Sequence, residues 1–326
     1  MLDIIKKFPK QAEEALKLKM DFEFEGIKNV AVAGMGGSAI SGDILKYFSK
    51  IPFFVIRDYE IPPFIDESTL FIAISYSGNT EETLSCFEKA RKKCKTLAIT
   101  SGGKLSEIAE NKIIIPSGIQ PRAAIAYLLF PLAKFLSKMN ILYETDIEEA
   151  IYLIKSNMNQ IEKIAEEIAH EIKGIPLIYG HGFASAIARR WRQQLNENAK
   201  MPSFSFSVPE CNHNELEAWE RKLGNFTCIF LRNRNESDRI KKRFDFMKKI
   251  YKEKAQTIEV FSIGEKDFSR AVSLLYTGDL MSVYKSIMDN IDAEPVNLIS
   301  KLKEELTQHS RSSSQGFPSE RVRSSH

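Results

Sequence analysis

The stretch that decides the fold is SYSGNTEE, residues 75–82, together with the apolar run TLFIAI before it. That run has the β-branched character of a buried strand, and a helical pattern follows the stretch. The loop between them supplies a glycine, backbone N–H groups that open the helix, and the hydroxyls of Ser75, Ser77 and Thr80. Several short donors at the positive end of a helix are what a phosphate group binds. A simple Ser/Thr N-cap explains one of these hydroxyls but not all three.

A second glycine-rich loop precedes a helical pattern earlier in the chain. It is GMGGSAI, residues 34–40, and it follows the apolar strand pattern NVAVA at residues 29–33. The two loops have the same place at the end of a strand, and we predict that they border one anion site. The G-x-x-x-x-G-K-[ST] pattern of a P-loop is absent, so the predicted site is of another kind.

Strand and helix patterns alternate along the chain, and the second half repeats the first. Residues 176–187 repeat the order of residues 30–40: a strand, Gly-x-Gly, Ser-Ala-Ile and a helix. The second copy of the hydroxyl-bearing loop is RNRNES at residues 232–237, where the hydroxyl cluster is lost. We therefore predict an α/β fold of two subdomains, residues 1–142 and 143–306. Each is a mostly parallel sheet flanked by helices, and the anion loop belongs to the first.

Two further segments complete the predicted organisation. A long helical segment is expected around residues 148–172, where it would join the two subdomains. The last twenty residues, 307–326, are rich in serine and arginine and hold almost no apolar side chains. A segment of that composition cannot order itself by burial, so we predict a disordered tail there.

The composition is that of an ordinary globular protein, with 43% hydrophobic and 27% charged residues in a chain of 326. The net charge is only +3 and both signs are mixed along the chain, which argues against nucleic acid or a membrane surface as partner. No apolar run approaches the ~18 residues of a membrane span, and the N-terminus has no signal-peptide pattern. The four cysteines form no C-x-x-C pair. We expect a cytoplasmic location and no bound metal.

Five short segments stand out when the chain is read as a whole. They are GMGGSA at 34–39, SYSGNTEE at 75–82, PR at 121–122, ENAK at 197–200 and PECNHNE at 209–215. Together they resemble the sugar isomerase (SIS) domain family, and within it the bifunctional phosphoglucose/phosphomannose isomerases. The resemblance implies two tandem SIS-type subdomains of flavodoxin-like or Rossmann-like topology.

The resemblance implies an isomerase that interconverts glucose 6-phosphate, and mannose 6-phosphate, with fructose 6-phosphate. Such an enzyme opens the sugar ring and then moves the C2 proton to C1 through a cis-enediol. Negative charge on the enediolate oxygens requires a fixed cation or donors. No cofactor and no metal are implied. The residues expected to hold the sugar 6-phosphate are Ser75, Ser77 and Thr80 at the phosphate and Gly36, Gly37 and Ser38 beside the sugar.

Glu197 is the candidate base for the proton transfer. It lies late in a helix predicted to begin near Ala184, in an amide-rich stretch with Asn196 and Asn198 on either side. The family places its proton-transferring glutamate in this ENAK segment. Glu215 is the rival carboxylate, but its position favours an ordinary residue at the start of a helix.

His213 is the candidate for ring opening. Histidine side chains give and take protons near neutral pH, and the amides of Asn212 and Asn214 can hold an imidazole tautomer. The residue also occupies the position of the family's ring-opening histidine. In related isomerases that histidine reaches into the neighbouring subunit's site, so the resemblance implies a homodimer with His213 contributed across the interface.

Arg122 and Lys303 complete the predicted catalytic set. Arg122 follows Pro121 at the start of an apolar helix, where a cation is disfavoured unless it has an anionic partner. The family places this arginine at the enediolate oxygens. Lys303 matches the family's late active-site lysine, although Lys301 is only two residues away. His181 lies on the duplicated glycine turn, and we predict a structural role for it.

Other classes of function remain open at this stage. The pattern Gly34-x-Gly36-x-x-Ala39 also fits a dinucleotide-binding fingerprint, with Arg57 and Asp58 at the end of the next strand near a ribose. A dehydrogenase of that kind would have no use for the hydroxyl cluster. A phosphosugar-sensing SIS module would bind without catalysis. An aminosugar-forming isomerase would need a further domain with a nucleophilic cysteine.

Overall fold

The computed structural model describes residues 1–143, 145–222 and 224–313, and side chains as far as residue 306. The chain divides into two units, Met1–Ala293 and Glu294–His326. The first unit contains both of the sheets described below. Among the described residues, no helix has both the length and the apolar character needed to cross a membrane.

The first sheet is built from apolar strands that pair in parallel in the order β2-β1-β3-β4-β5. Its strands are β1 (Asn29–Ala33), β2 (Phe53–Ile56), β3 (Thr69–Ile74), β4 (Lys95–Thr100) and β5 (Lys112–Ile114). Every residue of β3 is buried, as expected for a central strand covered on both faces. The helices of this half are α1 (Leu2–Lys6), α2 (Phe8–Ala15), α3 (Gly36–Leu45), α4 (Glu81–Ala90), α5 (Gly103–Ile108) and α6 (Ile125–Lys138).

The second sheet repeats this arrangement with parallel strands in the order β7-β6-β8-β9. Its strands are β6 (Ile175–Gly180), β7 (Phe204–Ser207), β8 (Phe226–Arg232) and β9 (Gln256–Phe261). The helices of this half are α7 (Ile147–Ser156), α8 (Met158–Glu171), α9 (Phe183–Asn198), α10 (Asp238–Tyr251) and α11 (Asp267–Met288). The predicted α/β fold, with two parallel sheets flanked by helices, is confirmed.

Helix α11 lies in the core of the first unit and was not predicted from the sequence. Most of its 22 residues are buried, and it packs against α8 and α9. The indole N–H of the buried Trp191 in α9 donates to the Leu274 carbonyl at 2.8 Å. A Cβ at Gly278 would lie 2.0 Å from that indole nitrogen, so the glycine lets the two helices approach closely. α9 is therefore held against α11 along its length.

Two predicted segments differ from the structure. The helix expected over 148–172 is interrupted at Asn157, whose side-chain amide donates to the Leu153 carbonyl at 2.9 Å and ends α7. The tail expected from residue 307 starts too early, because α12 (Asn297–Ser313) continues into it. The helix is favoured by the segment KLKEEL at residues 301–306, just before the predicted tail, because lysine, leucine and glutamate favour helix without burial. Residues 314–326 lie outside the described part of the chain.

Candidate active site

The two glycine-rich loops meet at the carboxyl edge of the first sheet, where the strand order reverses. β1 and β3 are neighbours, with β2 on one side and β4 on the other. Ligands of open α/β sheets bind in the crevice at such a switch point. The loops are also in contact, since a Cβ at Gly34 would lie 2.9 Å from the Ile74 carbonyl oxygen. The structure thus brings both predicted loops to one crevice.

The hydroxyls of the loop after β3 face one another. Ser75 is buried, and its Oγ lies 2.9 Å from Thr80 Oγ1 and accepts a hydrogen bond from the Gly78 N–H. Ser77 is exposed, and its Oγ accepts a bond of 3.3 Å from the Asn79 N–H. Thr80 occupies the N-cap position of α4, yet its side chain makes no capping bond. The simple N-cap interpretation is therefore wrong, and the positive end of α4 is not closed by its own cap.

The loop after β4 fixes the shape of this hydroxyl-bearing loop. Gly78 has a φ of +69°, and a Cβ there would lie 1.8 Å from the Gly102 carbonyl oxygen. The side-chain oxygen of Asn79 accepts from the Lys104 N–H at 3.0 Å, and the Gly78 carbonyl accepts from the Leu105 N–H at 2.9 Å. The loop is held in shape by protein contacts, with a backbone that only glycine adopts readily at its centre.

Arg122 is a buried cation, only 5% exposed, in the 3-10 turn that precedes α6. Its Nε donates to Asn198 Oδ1 at 2.7 Å, and its Nη1 donates to Gln120 Oε1 at 3.3 Å. Its Nη2 donates to the Ala293 carbonyl. These bonds come from three separate segments, so the guanidinium has one fixed position and orientation.

Glu197 supplies the anionic partner that the sequence analysis required for Arg122. It lies in the last turn of α9, with a side chain 29% exposed, and its Oε2 is 3.9 Å from Arg122 Nη1. That separation is an ion pair without a hydrogen bond, so the carboxylate keeps its lone pairs for another partner. Lys200 Nζ donates to the Glu197 carbonyl. Burial, and then the Arg122 guanidinium, lower the pKa of Lys200, a cation that the sequence analysis did not assign.

Arg190 lies between Arg122 and the first glycine-rich loop. Its Nη2 donates to the Arg122 carbonyl at 2.5 Å, and a Cβ at Gly37 would lie 3.1 Å from its Nη1. This contact places the Gly36–Gly37–Ser38 turn beside the turn that carries Arg122. No sequence motif marked Arg190. The available signal was a charged side chain next to Trp191 on a helix that is otherwise apolar in its first turns.

Glu215, the rival base, is held in an aromatic cluster. Its Oε1 accepts from the Tyr179 hydroxyl at 2.7 Å and from the Trp219 indole N–H at 2.6 Å. Its Oε2 accepts from the Tyr251 hydroxyl at 2.9 Å. Burial and the Glu215 carboxylate raise the pKa of Tyr251, which keeps that phenol protonated as a donor. A buried cluster in which one carboxylate accepts three such bonds is a structural anchor.

His213 lies at the exposed corner that Glu215 anchors. Among the described residues, the amides of Asn212 and Asn214 bond to groups other than the imidazole. Asn214 Oδ1 accepts from the Glu215 N–H at 2.7 Å, and Asn212 Oδ1 accepts from Arg243 at 3.2 Å. These partners lie in the backbone and in α10. Within the described residues, no hydrogen bond or ion pair joins this imidazole to the candidate base, so its role stays a prediction.

The remaining basic candidates lie on other segments of the chain. Lys301 and Lys303 both lie on α12 in the second unit, and the assignment of Lys303 stays a prediction. His181 Nδ1 lies 2.8 Å from the Val208 carbonyl oxygen. That bond ties the second glycine turn to the end of β7 and fits a structural role.

The residues expected near a ribose in the dinucleotide alternative are occupied by protein contacts. The Arg57 guanidinium pairs with the buried carboxylate of Asp43, which also accepts from Arg189 Nη1 at 2.9 Å. Asp58 Oδ1 accepts from the Tyr59 N–H at 2.6 Å. This geometry does not favour the dinucleotide alternative.

In the second copy of the hydroxyl-bearing loop, the buried arginine is paired with carboxylates of the same protein. Arg232, at the end of β8, is buried, and its Nε donates to Glu236 Oε1 at 2.9 Å. Its Nη1 donates to Glu259 Oε1 at 2.5 Å, and its guanidinium carbon lies 4.7 Å from the centre of the Phe244 ring. Carboxylates therefore already satisfy the one buried arginine of this loop.

The donor set of the described residues offers no metal site. No three His, Cys, Asp or Glu side chains are grouped in a way that could hold a metal ion in that part of the chain. The four cysteines, Cys86, Cys94, Cys211 and Cys228, are free. Burial raises the pKa of the Cys86 and Cys94 thiols to about 11, so neither is a ready thiolate ligand.

The duplicated sheet order and the hydroxyl loop at the first switch point define a protein of the SIS-domain class. A model of the SIS domain matches residues 23–135, and a model of the bacterial phospho-glucose isomerase C-terminal SIS domain matches residues 159–306. The fold also agrees with the C-terminal domain of glucosamine-fructose-6-phosphate aminotransferase from Francisella tularensis. That comparison has a TM-score of 0.72 at 16% identity and covers 90% of this chain and 96% of the other.

Sequence relatives identify the family. The bifunctional phosphoglucose/phosphomannose isomerase of Caldicellulosiruptor bescii is 36% identical over 336 residues, 94% of this chain and 99% of the relative. The enzyme of the same name from Thermoplasma volcanium is 39% identical over 306 residues, 90% of this chain and 99% of the relative. The chain belongs to the bifunctional phosphoglucose/phosphomannose isomerase family, which confirms the resemblance found in the sequence.

Proposed function

We propose that the chain is an aldose–ketose isomerase that interconverts glucose 6-phosphate and mannose 6-phosphate with fructose 6-phosphate. The observation that carries the proposal is the placement of the Glu197 carboxylate 3.9 Å from the buried Arg122 guanidinium. A base and a fixed cation side by side are what removal of a proton next to a carbonyl group requires. The names of the family relatives support the substrate class.

In the proposed reaction, the phosphate binds at the loop after β3 and the sugar extends towards Arg122. Ser75, Ser77 and Thr80 donate to the phosphate oxygens together with the N–H groups at the start of α4. The Ser75 hydroxyl also lies 2.9 Å from that of Thr80, which supports their joint role. The Gly36–Gly37–Ser38 turn borders the sugar. Support comes from the shared crevice of the two loops and from the Arg190 contact that joins the first loop to the Arg122 turn.

The proton transfer uses Glu197 as the only base. Its carboxylate takes the C2 proton of the open-chain aldose, and the electrons of that C–H bond form the C1–C2 double bond of a cis-enediolate. The charge moves to the C1 oxygen, where Arg122 stabilises it. The proton of the C2 hydroxyl then passes to the C1 oxygen, and the same carboxylic acid delivers its proton to C1, so that the C2 oxygen becomes the ketone. In the reverse direction the same carboxylic acid returns a proton to C2, and the epimeric aldose forms when rotation about the C2–C3 bond presents the opposite face of C2 to that acid.

The remaining assignments belong to the same proposal. His213 opens the sugar ring in the site of a second copy of the chain, within a homodimer, and its exposure at a rigid corner supports this role. Lys303 acts as a second cation at the site. The two subdomains meet at residues 142 and 143. The free cysteines support a reducing cytoplasm, and the substrates place the enzyme in glycolysis or gluconeogenesis.

The direct test is a coupled assay that starts from fructose 6-phosphate and measures glucose 6-phosphate and mannose 6-phosphate together. We expect both aldoses to form. If neither forms while fructose 6-phosphate still binds, the chain is a phosphosugar-binding protein and the proposed reaction is wrong.

The phosphate assignment predicts a binding defect in Ser77→Ala. Its hydroxyl is exposed on the loop, and removal leaves the Ser75–Thr80 pair intact. We expect KM for fructose 6-phosphate to rise about 10-fold with kcat within about 2-fold, because the phosphate contact is the same in the ground state and the transition state. Steady-state kinetics measures both constants. Ser237→Ala in the second loop is the matched control, and a larger KM effect there would contradict the assignment.

The chemistry is expected to need no added metal. Arg122 and Glu197 supply the charge stabilisation and the base in the proposed steps. Prolonged dialysis against EDTA should therefore leave kcat within about 2-fold of its starting value. Activity that is lost to EDTA and restored by a divalent cation would contradict this mechanism.

A further inference from the structure

We infer that Arg190 and Asp279 form a buried positioning unit, which fixes Arg122 and the Gly36–Gly37–Ser38 turn for the proton transfer. The inference rests on the proposed function, and it assigns roles to two residues that no motif marked. It starts from an ion pair inside the first unit. Arg190 on α9 and Asp279 on α11 are 1% and 2% exposed at their side chains.

The ion pair is bidentate. Arg190 Nε lies 2.9 Å from Asp279 Oδ1, and Arg190 Nη2 lies 2.9 Å from Asp279 Oδ2. Gln194, one turn further along α9, donates to Asp279 Oδ1 at 2.9 Å. Two parallel bonds from a planar guanidinium fix its plane as well as its position. Asp279 therefore sets the orientation of Arg190.

The oriented guanidinium reaches both halves of the proposed site. Its Nη2 also donates to the Arg122 carbonyl at 2.5 Å, and its Nη1 lies against Gly37. One group thus holds the backbone of the proposed enediolate cation and supports the turn that borders the sugar. Stability alone does not require this arrangement, since apolar residues of similar volume stabilise a core as well as a buried ion pair does.

The same helix face continues to the candidate base. Arg190, Gln194 and Asn198 are spaced four residues apart, so they form one row on α9. Asn198 Oδ1 accepts from Arg122 Nε at 2.7 Å, while its Nδ2 donates to Ser282 Oγ on α11 at 2.9 Å. The row therefore holds Arg122 at its backbone and at its side chain, next to the turn that carries Glu197.

The test compares two neighbouring arginines of α9. Arg190→Gln is expected to lower kcat for fructose 6-phosphate about 30-fold, with KM changed less than about 3-fold, because the fixed cation acts mainly in the transition state. Arg189→Gln is the matched control. Arg189 also pairs with a buried aspartate, Asp43, but it makes no contact with Arg122 among the described residues. The kcat of Arg189→Gln should stay within about 2-fold of the wild-type value.

A second pair of variants decides the question if Arg190→Gln does not fold. Ser282 and Ser286 are both buried on α11, and each donates to a carbonyl of its own helix, at 2.8 and 2.7 Å. Ser282 additionally accepts from Asn198. Ser282→Ala should lower kcat about 5-fold with KM unchanged, whereas Ser286→Ala should not change kcat. Equal kcat values for the two variants would overturn the positioning role.

A double-mutant cycle separates positioning from general stability. If Arg190 acts through Arg122, Arg190→Gln should change kcat less than about 2-fold in an Arg122→Met background. A further 30-fold loss in that background would overturn the inference. The proposed function fails separately, because a wild-type protein without isomerase activity contradicts it before any variant is made.

Discussion

Replacing Glu197 with glutamine should lower kcat for fructose 6-phosphate about 10³-fold, because it removes a positioned general base while it keeps the size of the side chain. The carboxylate stands 3.9 Å from a guanidinium that three hydrogen-bonded segments hold in place. Glutamine can still contact that cation, so substrate binding should change little. Steady-state kinetics, with the folded fraction checked by thermal unfolding, measures the loss.

Exchange of the C2 proton with deuterated water tests Glu197 as the base directly, because it reports on cleavage of the C2–H bond of the sugar. Glu197→Gln should lose the exchange, whereas Glu215→Gln should retain it in the folded protein. Glu215 accepts bonds from Tyr179, Trp219 and Tyr251, so its substitution should reduce stability more than it affects the chemistry. Exchange at the wild-type rate in Glu197→Gln would remove this residue as the base.

The pairing of Glu197 with Arg122 could be predicted from the sequence because each is a charged residue in a segment where a charge is unusual. A cation at the start of an apolar helix needs an anion, and a carboxylate in an amide-rich helical turn needs a reason to face the core. The resemblance then connected the two positions, which are 75 residues apart in the chain. The structure adds the distance and the fixed orientation.

The Arg190–Asp279 pair could not be predicted from the sequence in the same way. Asp279 lies in α11, a helix that is buried on nearly all of its faces. The pattern of apolar residues therefore does not show which face of the helix carries the aspartate. The partner is 89 residues away in the chain, on α9. Only the packing of α9 on α11, with Gly278 against Trp191, brings the two charges together.

The elements themselves were predictable where their patterns are strong. β3 is an unbroken apolar run, and its predicted position agrees with the structure to within one residue. The break at Asn157 was missed because isoleucines continue at helical spacing on both sides of it. At the end of α7 the side chain and the backbone N–H of Asn157 both donate to the Leu153 carbonyl, and sequence periodicity does not contain that information.

Replacing His213 with alanine should affect ring opening and leave the proton transfer intact. We expect kcat/KM for cyclic glucose 6-phosphate to fall about 10²-fold, the usual contribution of a general acid–base group. An aldose phosphate too short to close a ring needs no such group, and its kcat/KM should stay within about 3-fold. Equal losses on both substrates would show that the histidine does more than open the ring.

The exposed corner that carries His213 makes a stronger test possible, because the proposal gives each site residues from two chains. A mixed dimer of one Glu197→Gln chain and one His213→Ala chain contains one site with both residues intact and one site with neither. Purification through two different tags isolates this species, and it should show about half of wild-type activity on glucose 6-phosphate although both parents are nearly inactive. If His213 instead acts within its own chain, every site of the mixed dimer lacks one residue. The activity would then not exceed that of the parents, and the histidine would belong to the site of its own subunit.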